Sequence, residues 1–129
     1  QGIANTAWDF AKVGRDDAKL FAALAQAALL KVGGFNEQEI ANAAWGFAKV
    51  GRDGVKLFDA LAQAALSKVG GFNGQGIANT AWAFAKVGRD DASLFDALAQ
   101  AALLKVDGFN GQGIANTAWA FAKVGRDEA

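Results

Sequence analysis

The chain has 129 residues, its thirteen basic residues are balanced by thirteen acidic ones, and it contains no Cys, His, Met, Tyr or Pro. These absences exclude disulfides, thiolate or imidazole metal sites and any nucleophile activated by histidine, so no metal, cofactor or catalytic centre is expected. Charge neutrality argues mildly against tight nucleic-acid binding. No apolar run approaches the roughly 20 residues that cross a bilayer, and no signal pattern precedes the first repeat, so a soluble chain without a membrane partner is expected.

Trp8, Trp45, Trp82 and Trp119 recur every 37 residues, as do Ile3, Ile40, Ile77 and Ile114 and Phe10, Phe47, Phe84 and Phe121. A period of this size marks a repeat array in which each unit buries its apolar side against its neighbours. In chain order, 1–34 is a partial first repeat, 35–71 and 72–108 are complete repeats, and 109–129 is a partial last one. The chain begins and ends within predicted helices, which reads as an excerpt of a longer array.

Each repeat predicts two helices, A and B. In the third repeat, Asn73 caps helix A and Gly88 ends it in the left-handed conformation. At 100° per residue, Ile77, Ala78, Ala81, Trp82, Phe84 and Ala85 form a broad apolar arc, and Gln75, Asn79, Thr80 and Lys86 fill the other side. Asp90 is the predicted cap of helix B, which runs through Leu94, Phe95, Leu98, Ala102 and Leu103 to Val106 and stops at Asp107-Gly108. Helix A is expected to span about 13 residues and helix B about 16, too short to stand alone. Short connections make the two antiparallel. In the second repeat Glu39, three residues after Asn36, predicts a capping box. Phe35, Phe72 and Phe109, each just before a cap, predict hydrophobic staples. The expected fold is all-α, an α-solenoid of about three and a half helix-turn-helix repeats winding into a right-handed superhelix. Its uncapped end units are expected to stack end to end on further copies at high concentration.

Four columns of side chains on helix A are candidates for ligand contact. Asn5, Asn42, Asn79 and Asn116 put one amide per repeat at the centre of the polar arc. They could bond an extended ligand or tie one repeat to the next. Asp9, Gly46, Ala83 and Ala120, directly after each Trp, vary between copies, as repeat proteins that read RNA vary a few side chains per unit; drift at an exposed position explains this equally simply. Thr6, Ala43, Thr80 and Thr117 form the neighbouring column. Lys12, Lys49, Lys86 and Lys123, with Arg15, Arg52, Arg89 and Arg126 just beyond the helix end, make two basic ladders suited to phosphates. Each Arg is followed by Asp16, Asp53, Asp90 or Asp127, which consumes part of that field. The tryptophans could serve as base-stacking platforms, but indoles at this spacing more commonly build the inter-repeat core.

The core Gln-x-Ile-Ala-Asn-x-x-Trp-x-Phe-Ala-Lys-Val-Gly, present in all four copies, resembles helix A of the octotricopeptide and heptatricopeptide repeats found in RNA-binding proteins of mitochondria and chloroplasts. Helix B departs from the octotricopeptide pattern: the proline-rich Pro-Pro-Pro-Glu-Trp signature is replaced by Arg-Asp-Asp-Ala-Ser-Leu-Phe, which favours the heptatricopeptide variety. The resemblance implies a non-catalytic array that binds single-stranded RNA, part of a longer organellar RNA-processing or translation factor, with base-reading roles for residues such as Asn79, Thr80 and Ala83. The alternative partner is an extended peptide held by the same asparagines, a reading that charge neutrality favours.

Overall fold

The computed structural model describes residues 2–14, 17–51 and 54–125. Among them are seven α-helices and no strand: α1 (Gly2–Lys12), α2 (Ala18–Lys31), α3 (Glu37–Lys49), α4 (Val55–Lys68), α5 (Gly74–Lys86), α6 (Ala92–Lys105) and α7 (Gly111–Lys123). The odd-numbered helices are the A helices of the sequence reading and the even-numbered ones the B helices. The protein is an all-α helical-repeat array.

Local chemistry sets the helix ends. Asn36, Asn73 and Asn110 each accept a bond from the backbone N–H three residues on, at 2.8, 2.8 and 2.7 Å. At Asn36 the bond is reciprocated by Glu39, whose Oε1 accepts from the Asn36 N–H at 2.9 Å, completing the capping box. After the A helices the chain reverses at Gly14, Gly51, Gly88 and Gly125, all with φ between 73° and 79°, where any side chain would be strained. Helix B starts one residue later than predicted. Asp91, not Asp90, holds the cap position of α6 but makes no capping bond, because its carboxylate is taken by Arg89. Helix B is also shorter, 14 residues, with the final turn tightening into 3₁₀ geometry at Val32–Gly34, Val69–Gly71 and Val106–Gly108.

The A helices α1, α3, α5 and α7 lie side by side in one row, and α2, α4 and α6 form a second row against it. Packing is closest within the A row, where small residues let backbones approach. A Cβ added at Gly46 of α3 would stand 2.9 Å from the Ala7 carbonyl carbon of α1. Between the rows, a phenylalanine of each B helix meets one on the A helix of the next repeat. Phe21–Phe47, Phe58–Phe84 and Phe95–Phe121 make edge-to-face pairs with centroids 5.9, 5.1 and 5.2 Å apart. Phe35 and Phe72 are buried at the staple positions, and Phe109 is half-buried. Lysine bonds to backbone carbonyls complete the packing: Lys68 donates to the Phe35 carbonyl and Lys105 to that of Phe72, each at the start of its own repeat, and Lys105 also donates to the Gly70 carbonyl of the preceding repeat.

Candidate functional site

Positions i, i+4, i+7 and i+11 of a helix share one face. On each A helix those positions hold Gln, Asn, Trp and Lys, as in Gln75, Asn79, Trp82 and Lys86 of α5. Because the A helices lie in register, the four residue types become four parallel columns across the array.

The asparagine column is half-buried and does two things at once. Asn42 Nδ2 donates to Asn5 Oδ1 at 3.2 Å, tying the second repeat to the first. Asn5, Asn42 and Asn79 also line an open groove of about 600 Å³, with Gln38, Gln75 and the capping Asn36 and Asn73 beside them. The two readings of this column are therefore not exclusive: one amide hydrogen bonds its neighbour and still presents polar atoms to the groove. Asn116, on α7, is half-buried as well but is not among the groove's walls.

The tryptophans form a ladder. Successive indole centroids lie 5.7, 5.9 and 6.3 Å apart with interplanar angles of 43°, 30° and 34°. Each indole thus packs on its neighbours, which gives this column a structural role. Over each ring sits the ammonium group of its own helix: Lys12, Lys49, Lys86 and Lys123 lie 4.5, 5.8, 5.9 and 6.0 Å from the centroids of Trp8, Trp45, Trp82 and Trp119. All four lysines are exposed. The array therefore carries an exposed basic row beside the amide groove and the indoles, of which Trp8, Trp45 and Trp82 are half-buried and Trp119 is exposed.

Other candidates are placed elsewhere. Gly46, Ala83 and Ala120 are buried, with Ala83 and Ala120 at 0% exposure, so the variable column is not a solvent-facing row; Asp9, on the first helix, is exposed. Ala43 and Thr80 are likewise fully buried, and Thr6 and Thr117 half-buried. A single helical wheel assigns these positions to the polar arc because it registers one partner. Each inner A helix has several: its own B helix, an A helix on either side and, through the phenylalanine pair, the B helix of the preceding repeat; position 46 faces the preceding A helix.

Arg89 is also committed. It donates from Nε to Asp91 at 3.1 Å and from its NH2 nitrogen to Asp91 at 2.7 Å and Asp59 at 2.8 Å, while its guanidinium stacks 5.8 Å from the Phe84 centroid. The hydrogen bond to Asp91, and then that to Asp59, raise its pKa against the opposing effect of burial, so it is a fixed positive charge spent on a cross-repeat clamp. Arg15, Arg52 and Arg126 lie outside the described residues.

Sequence reasoning passed over Gln38, Gln75, Asn36, Asn73 and Glu37 as groove residues. The signal for the glutamines was present, since they fall on the asparagine stripe at i−4. The caps were read as finished once they had bonded their own helix.

A family model described as RNA-editing substrate-binding complex 6 protein matches residues 2–128. The chain belongs to this family. The match spans the whole array, including the groove and the lysine row. It does not extend to the octotricopeptide or heptatricopeptide repeats, whose resemblance rests on the helix A motif alone. No curated protein matches the chain. Among the described residues, no group of His, Cys, Asp or Glu is placed to hold a metal ion, and no helix is long and apolar enough to cross a membrane.

Proposed function

We propose that the array binds single-stranded RNA along the exposed face of its A helices, as a non-catalytic part of a longer RNA-handling factor. The observation that carries this reading is the amide groove lined by Asn5, Asn42 and Asn79 running beside the row formed by Lys12, Lys49, Lys86 and Lys123. Amides can bond base edges, and lysines can neutralise phosphates. The family's description names an RNA-editing substrate-binding complex, which supports RNA as the ligand. Packing that is tighter in the A row than in the B row supports a superhelix with the A helices on the inner side. A mitochondrial site of action is part of this proposal, and the family's description is consistent with it.

The bases face the groove and the backbone follows the lysines. Arg89 takes no part, and the buried residues Ala43, Gly46, Thr80, Ala83 and Ala120 act through packing alone. The second reading, capture of an extended peptide, is favoured by the chain's neutrality and by the carboxylates of Asp9 and Glu37 on the groove wall.

Fluorescence polarisation with pooled single-stranded RNAs at rising salt tests the proposal. RNA binding weakens steeply with salt through counterion release, whereas peptide capture responds little. Absence of binding at high micromolar protein in low salt would overturn the RNA reading.

A further inference from the structure

The groove holds no lysine or arginine among its walls, yet it holds a carboxylate that the other complete repeat lacks: Glu37, whose counterpart in the next repeat is Gly74. Gly71, at the end of the same repeat, makes room for it, since a Cβ there would stand 2.7 Å from Glu37 Oε2. The half-buried side chain is thereby seated within the groove, on an A helix flanked by A helices on both sides.

We propose that Glu37 makes the groove selective for a guanine base, an inference that rests on the RNA-binding reading above. An ionised carboxylate only accepts, and through two oxygens in one plane it takes two parallel N–H bonds best. Guanine alone offers that pattern on its pairing edge, the N1–H beside the N2 amino group. Adenine and cytosine each set a single amino group next to an acceptor nitrogen, and uracil sets its N3–H between two carbonyls, so each brings an acceptor against the carboxylate. The amides of Asn36, Asn42 and Gln38, which both donate and accept, can satisfy the remaining edge of the base. A phosphate in the same place would meet a like charge, which directs the strand to enter base first. With Gly74 and Gly111 at the matching positions of the later repeats, selection is confined to a single repeat and gives the bound strand a register.

The test compares a short all-uridine RNA with versions carrying one central guanosine, inosine or adenosine, titrated by fluorescence polarisation on the wild-type chain and on Glu37→Gln. The guanosine strand should bind the wild type about ten-fold tighter than the others, the scale of one good bidentate base contact. Inosine, which lacks the N2 amino group, should lose that advantage. Glu37→Gln should abolish the preference, bringing the guanosine strand to the affinity of the others, with an unchanged helical circular dichroism spectrum. Equal binding of all four strands to the wild type, or a guanosine preference that survives Glu37→Gln, would overturn the inference while leaving RNA binding intact. No binding of any strand would overturn both readings. Preferential binding of an arginine-containing peptide over every RNA strand would assign the carboxylate to a protein partner and overturn both as well.

Discussion

Thr80 lies in α5 at 0% exposure, and its Oγ1 has no hydrogen-bond partner among the described residues. A buried hydroxyl without a partner costs about 1–3 kcal/mol, and threonine is also a poorer helix former than alanine. The second repeat carries Ala43 at the same place. Thr80→Ala is therefore expected to stabilise the fold by about 0.5–1 kcal/mol net of the lost methyl contacts, seen as a midpoint a few degrees higher in thermal melts. A lower midpoint would mean that the hydroxyl does find a partner in solution. Arg89 and Lys86, three residues apart, make a sharper contrast. Lys86→Ala should reduce the slope of log affinity against log salt by about one unit without changing stability by more than about 0.5 kcal/mol. Arg89→Ala should do the reverse, leaving the RNA salt slope unchanged and costing about 1 kcal/mol, because its ion pair to Asp59 joins adjacent repeats and its pair to Asp91 fixes the start of α6. A pair of variants with the same salt slope change would show that the guanidinium leaves its clamp to meet the ligand.

The helices differ in how well their ends are fastened, and that difference was readable from single residues. Asn36 and Glu39 bond reciprocally, whereas Asn73 and Asn110 face glycine three residues on and make one bond each. Asn36→Ala should cost about 1–2 kcal/mol in chemical denaturation, and Glu39→Ala roughly half of that, since it removes one of the two capping bonds. The A helices and their caps were legible because capping is local chemistry, decided within four residues. The start of helix B was read one residue early, because Asp90 and Asp91 are adjacent and a local rule does not choose between them; Asp17, equivalent to Asp91, does cap α2, whereas the Asp91 carboxylate is held by an arginine whose other partner lies thirty residues earlier, on α4. A cap read from sequence assumes that its side chain has no better offer.

In the whole molecule no helix is self-sufficient. The Trp ladder, the cross-repeat phenylalanine pairs, the Lys105 bond to Gly70 and the Arg89–Asp59 pair all join one repeat to the next. Stability should thus grow with repeat number, as nearest-neighbour terms accumulate. Inserting one further copy of residues 72–108 after position 108 is expected to raise the denaturation midpoint and tighten RNA binding together. A longer array with an unchanged midpoint would show that the repeats fold independently. The same stacking determines which side chains can meet a ligand, and at this scale the sequence reading was incomplete: the lysines came out exposed and the asparagines half-buried, while Gly46, Ala83 and Ala120 of the variable column and Ala43 and Thr80 of the threonine column sank between helices.

The 37-residue period and the apolar spacing by themselves determined that the protein is a row of helix pairs, because both express short-range rules: helical periodicity, capping and the left-handed glycine turn. What only the tertiary structure decided is the accessibility of each column. Burial of Gly46, Thr80, Ala83 and Ala120 depends on how closely one A helix approaches the next, and that distance is set by small residues on two helices a full repeat apart. The groove around Asn42 is the space that remains once that approach is complete, so its walls, including Glu37, belong to no single stretch of sequence.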